Sequence, residues 1–139
     1  MGFRRKAREV ALQVLYQLDV ADGKVDGALE AIWDSFDIPE TVRDYSGKLV
    51  HGIYQHLGEI DRGIESASEN WSLERMSIVD RNILRLGAFE LAYCSDVPFK
   101  VVIDEAVELG KRYGSEESGN FINGILDKFA KTSHYSQKS

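Results

Sequence analysis

Hydrophobic and polar positions follow a helical period along nearly the whole chain. Apolar residues recur three or four positions apart in seven stretches, and no run shows the strict alternation of a β-strand. The spacing predicts helices over approximately residues 4–20, 25–36, 39–57, 59–69, 78–93, 100–113 and 120–131. The pattern therefore indicates an all-α fold, and 139 residues suffice for one domain or for two small subdomains that share a core.

The stretch from Ile78 to Tyr93 is the most apolar of the seven. Hydrophobic residues nearly encircle its axis: Val79, Ile83, Leu84, Leu86, Ala88, Phe89, Leu91 and Tyr93. A helix that is apolar almost all round is buried, with other helices on several sides, and this one is too short and too charged to span a bilayer. We predict that it forms the centre of the fold, with Ser77 as its N-cap and Asp80 completing an S-x-x-D capping box.

One acidic residue, Glu90, lies on the same side of this helix as Val79, Ile83 and Leu86. A buried carboxylate must be paired or hydrogen-bonded, because an isolated buried charge is very costly. We interpret Glu90 as a structural acid. The alternative, a general acid or base with a raised pKa, lacks a second catalytic group positioned by the sequence.

The first helix combines an apolar stripe with a basic beginning. Arg4, Arg5, Lys6 and Arg8 precede the first acid, whereas the whole chain has a net charge of −6. Basic residues at a helix N-terminus oppose the macrodipole, and such local conflicts are commonly functional. One line along the helix carries Arg5, Arg8, Leu12 and Tyr16. Cations beside an aromatic ring suit the phosphates and unstacked bases of a nucleic acid, although an ordinary solvated face is the alternative.

The sequence offers no positive sign of an enzyme. It lacks a phosphate-binding glycine loop, a dinucleotide fingerprint and a nucleophile elbow. Its single cysteine, Cys94, excludes a disulfide framework and a cysteine-based zinc site, and the spacing of His51 and His56 fits no metal motif. We therefore expect no cofactor and no metal. The basic N-terminus lacks the apolar segment of a secretory signal, so we expect a cytoplasmic protein with no membrane partner.

Several segments together resemble one known family. They are R-R-K-A-R-E-V-A-L-Q-V-L-Y-Q at residues 4–17, V-D-R-N-I-L-R-L-G-A-F-E-L at 79–91, D-V-P-F-K-V-V-I-D-E-A-V-E-L at 96–109 and F-I-N-G-I-L-D-K at 121–128. In this order and spacing they are similar to the bacterial NusB transcription antitermination family. The resemblance covers essentially the whole chain.

The resemblance implies a NusB-like bundle of two packed helical subdomains, about 1–70 and 71–133, with a polar tail at 134–139. It also implies a non-enzymatic function. Members of the family bind the boxA element of nascent RNA together with NusE, a ribosomal protein of the small subunit. With RNA polymerase and other Nus factors, they promote read-through of terminators in ribosomal RNA operons.

The resemblance also implies site residues. Those matching the RNA-contacting positions are Arg4, Arg5, Lys6, Arg8, Tyr16, Glu117 and Phe121. Asp80 matches an acidic position that faces NusE. Two of these depart from the common pattern: Lys6 replaces an arginine and loses its bidentate geometry with phosphate, and Asp80 replaces a longer glutamate.

Two other functions remain open at this point. A NusB-like domain also begins a ribosomal RNA cytosine methyltransferase, but no methyl-donor site follows within these 139 residues, so we expect no such activity here. The chain could alternatively be a helical adaptor that binds only protein, with a merely solvated basic end. Whether the free protein forms a homodimer is also open.

Overall fold

The computed structural model describes residues 2–69 and 71–131, and these residues form helices and no strands. The helices are α1 (Gly2–Ala21), α2 (Val25–Phe36), α3 (Glu40–Gln55), α4 (Leu57–Ala67), α5 (Ile78–Tyr93), α6 (Phe99–Tyr113) and α7 (Ser118–Lys131), with a 3-10 turn at Leu73–Arg75. The predicted all-α class is confirmed, and each predicted helix end lies within two residues of the observed one. The tail expected at 134–139 lies outside the described residues.

The chain divides into two compact units, and the division falls between Gln55 and His56. Our sequence prediction placed α4 in the N-terminal subdomain, whereas in the structure α4 packs against α5 and α7. The packing is close, since a Cβ atom added at Gly63 would lie 2.7 Å from the ring of Phe129. The buried residues Ile60 and Ile64 complete the contact face of α4.

In the N-terminal unit, α1 packs mainly against α3, and α2 packs against both. The predicted apolar stripe of α1 is buried, including Ala7, Ala11 and Leu15. The indole N–H of Trp33 donates to Ser46 Oγ at 3.1 Å and ties α2 to α3. Phe36 has helical spacing from the buried Leu29, but it is exposed, because it is the last residue of α2.

In the C-terminal unit, α5 packs against α4, α6 and α7, and every residue from 82 to 91 is buried. The predicted central position of this helix is therefore confirmed. Ser77 caps it, because its Oγ accepts from the backbone N–H of Asp80 at 3.0 Å. Glu90 is buried within the unit and has an interaction partner; its structural function stays a prediction.

Candidate nucleic-acid interface

The basic residues at the start of α1 have different environments. Arg5 and Lys6 are exposed, Arg4 is half-buried, and Arg8 retains only 4% of its accessible surface. Leu12 is buried as well. The predicted exposed line of Arg5, Arg8, Leu12 and Tyr16 is therefore wrong in its middle. The apolar stripe of α1 is wider than the sequence indicated, and the long aliphatic stem of an arginine can be buried beside it.

Arg4 lies between two aromatic rings within the N-terminal unit. Its guanidinium carbon is 5.3 Å from the ring centroid of Tyr45 and 5.6 Å from that of Phe3. The two rings meet edge to face, with centroids 6.2 Å apart and planes at 88°. Cation–π attraction and the packing of its stem therefore orient the Arg4 side chain.

Tyr16 is exposed but lies far along α1 from the basic residues. The rise of an α-helix places it roughly 16 Å from Arg5 along the axis. That separation is too large for the two side chains to contact one nucleotide. If both bind a nucleic acid, they contact different nucleotides of one strand.

The remaining predicted site residues lie in the C-terminal unit, where the structure brings three of them together. Asp80, Glu117 and Phe121 line one pocket with a volume of about 210 Å³. Its other lining residues are Trp71, Arg75, Met76, Ser77, Ser115 and Ser118. The sequence analysis assigned Asp80 to a protein partner and the other two residues to RNA. Residues predicted for two different ligands therefore line the same pocket.

A serine network holds the Asp80 carboxylate in the pocket. The buried hydroxyl of Ser118 donates to Asp80 Oδ1 at 2.7 Å, and Ser118 Oγ itself accepts from the backbone N–H of Ser115 at 2.9 Å. Gly114 permits this arrangement, because a Cβ atom there would collide with the Ser118 side chain. The Asp80 carboxylate is therefore held against the start of α7 through Oδ1. Its other oxygen, Oδ2, takes no part in the hydrogen bond with Ser118.

Two residues of this pocket were missed by sequence reasoning. The first is Trp71, which leaves 49% of its surface exposed, and the second is Arg75. The guanidinium carbon of Arg75 lies 5.4 Å from the centroid of the Trp71 ring. The sequence does contain one indication of this site, namely an aromatic residue in a connection between two helices, because loops commonly carry binding residues. The pocket can stack a planar group and accept hydrogen bonds or a cation through its carboxylates.

Within the described ranges, no group of histidine, cysteine, aspartate and glutamate side chains could hold a metal ion. No helix among the described residues is long and apolar enough to cross a membrane.

The sequence is similar to a known family along most of its length. A model of the NusB family matches residues 5–131. The transcription antitermination protein NusB of Anaeromyxobacter dehalogenans is 56% identical over 128 residues, which cover 91% of this chain and 89% of that protein. The protein of the same name from Myxococcus xanthus is 51% identical over 135 residues, covering 94% and 96%.

Solved structures agree with these relatives. NusB of T. maritima superposes with a TM-score of 0.89 at 40% identity, covering 97% of this chain and 95% of that one. A chain in the crystal structure of the antitermination factors NusB and NusE with double-stranded RNA has a TM-score of 0.88 at 32% identity, covering 96% and 99%. With the family match and relatives that are more than half identical over nearly their full lengths, this chain belongs to the NusB family.

Proposed function

We propose that this protein is an RNA-binding transcription antitermination factor that binds boxA RNA together with NusE. In the complex with RNA polymerase and other Nus factors, it promotes transcription of ribosomal RNA operons. Family membership carries the proposal, since the curated relatives are named transcription antitermination proteins and a structural neighbour is solved with NusE and RNA. A non-enzymatic function in the cytoplasm is part of it.

The exposed cations of α1 form the RNA-binding side of this proposal. Arg5 and Lys6 are exposed on a chain of net charge −6, so they form a local positive region on an acidic protein. Phosphate contacts from arginine and lysine supply most sequence-independent affinity for nucleic acids. Arg4 contributes from its fixed position beside Tyr45, whereas buried Arg8 acts through the packing of α1.

The pocket around Asp80 forms the partner-binding side. Its carboxylates, Asp80 and Glu117, suit the basic side chains of a ribosomal protein, because opposite charges across an interface favour association. Phe121 and Trp71 add aromatic surface to the same pocket. We propose that NusE and RNA meet here, which explains why residues predicted for two ligands converge.

The first test measures the salt dependence of RNA binding. The method is fluorescence anisotropy of a labelled boxA RNA, titrated with the protein alone and with NusE at several salt concentrations. Arg5→Ala/Lys6→Ala should flatten the slope of log K against log salt by about 1.4, because each phosphate on a single strand contributes about 0.7. Stability should not fall, since both cations oppose the macrodipole of α1.

A matched control removes two other exposed lysines, one in each unit, with Lys24→Ala/Lys100→Ala. This variant should keep the wild-type slope. If both variants lose the same amount of slope, the salt dependence reflects only the net charge of the protein. That result would contradict an RNA interface on α1. Binding of NusE without any binding of RNA would instead identify a protein-only adaptor.

The second test neutralises the pocket with Asp80→Asn. The amide keeps an acceptor for the Ser118 hydroxyl but removes the negative charge that we propose for NusE. We expect affinity for NusE to fall about tenfold or more, because losing one member of an interfacial charge pair is costly. Affinity for RNA in the absence of NusE should change less than about twofold. Unchanged NusE affinity would remove Asp80 from the interface, and thermal unfolding checks that the variant is folded.

A further inference from the structure

The start of α1 and the middle of α3 together form a feature that the α1 sequence alone does not show. The rings of Phe3 and Tyr45 meet at a right angle, with Arg4 and Lys48 beside them. We call these four residues the cation–aromatic corner. All four lie in the N-terminal unit, and Lys48 comes from α3.

Two cations share one ring in this corner. The guanidinium carbon of Arg4 is 5.3 Å from the Tyr45 centroid, and Nζ of Lys48 is 5.8 Å from the same centroid. Both cations therefore lie within about 11 Å of each other, and two like charges at such a distance repel. A phosphate that contacts both cations would offset this repulsion with two charge-assisted hydrogen bonds.

The two rings differ in exposure. Tyr45 is buried, with 7% of its surface accessible, whereas Phe3 leaves 39% of its surface accessible. Tyr45 is therefore a buried packing partner of the other residues in the corner. Phe3 has the accessible aromatic surface beside the two cations. Aromatic side chains next to a positive groove are the usual platform for bases of single-stranded nucleic acids.

Building on the proposed RNA-binding function, we propose that the cation–aromatic corner binds one nucleotide of the RNA. Arg4 and Lys48 hold its phosphate, and its base stacks on Phe3. The RNA surface then continues from α1 onto α3. Asp44 precedes Lys48 by one helical turn and partly offsets its charge. For this reason the sequence around Lys48 does not stand out as basic.

The two halves of the corner have different experimental signatures. Lys48→Ala removes a phosphate contact, so the slope of log K against log salt should flatten by about 0.7. Phe3→Leu keeps an apolar contact with Tyr45 but removes the stacking surface. It should weaken binding about fivefold or more with the slope unchanged, because stacking on an aromatic ring involves no counterion release.

The measurement uses the full chain without an N-terminal fusion, titrated into a labelled single-stranded boxA RNA across a salt series. Lys24→Ala is the matched control, because it removes an exposed lysine from the same unit. It should change neither slope nor affinity beyond about twofold. Circular dichroism of each variant confirms the helical fold.

The inference is overturned if Lys48→Ala behaves like Lys24→Ala, or if it weakens binding without flattening the slope. An effect of Lys48→Ala on NusE binding alone would likewise assign the corner to a protein contact. If the wild-type protein binds no RNA at any salt concentration, the proposed function itself fails, and that outcome is distinct from failure of the corner.

Discussion

Leu86→Ala is expected to destabilise the C-terminal unit by about 2–5 kcal/mol. The side chain lies on α5 with only 2% of its surface accessible, and α5 packs against three other helices of the unit. Truncating a buried leucine loses its transfer free energy and leaves a cavity that surrounding helices fill only in part. Packing on several sides limits how far any one neighbour can move into the space.

The two tryptophans of the chain allow each unit to be followed separately. Trp33 lies in the N-terminal unit and Trp71 in the C-terminal unit. Urea unfolding of Leu86→Ala in a Trp33→Phe background, followed by fluorescence, therefore reports on the unit that contains α5. Lys100→Ala is the control, since Lys100 is exposed in the same unit and its truncation should change stability by less than about 0.5 kcal/mol. A similarly small effect of Leu86→Ala would contradict the central position of α5.

The helices of this fold could be predicted closely because their signal is local. The spacing of apolar residues and the Ser77 cap lie within or beside the helices that they define. The division between the units could not be predicted in the same way. It depends on α4 meeting residues that come much later in the chain, such as Phe129 beside Gly63.

The candidate site depends even more than the division into units on contacts between residues that are distant in the sequence. The run of basic residues identifies the start of α1, but the sequence does not show that Arg8 is buried or that Arg4 lies against Tyr45. Those environments depend on where α3 packs. Similarly, Asp80 and Phe121 come together only through the packing of α5 with α7. The basic run and the family resemblance indicated candidate residues one by one, whereas the grouping of these residues is a tertiary property.

Arg85→Met is expected to be the most damaging change at a polar residue, at about 3 kcal/mol. Arg85 is buried in the C-terminal unit, where its Nε and a terminal nitrogen contact both oxygens of Asp61 at 2.9 and 3.0 Å. Its other terminal nitrogen donates to Asn82 Oδ1 at 3.1 Å. The variant leaves a partly buried carboxylate and a buried amide oxygen without this partner, and such losses are far more costly than the net value of the pair.

The matched experiment is a double-mutant cycle with Asp61→Leu, measured by the same urea unfolding. Removing both charges takes away the unpaired carboxylate, so the double variant should be more stable than the sum of the single losses predicts. We expect a coupling free energy of about 1–2 kcal/mol rather than more, because Asp61 keeps part of its surface in water, where the ion pair is screened. The double variant should still be less stable than wild type, since the amide of Asn82 donates to the Ile78 carbonyl and its oxygen loses the Arg85 donor in either background. Strictly additive losses would mean that α4 and α5 are joined by apolar packing alone, with the bidentate contact adding no stability.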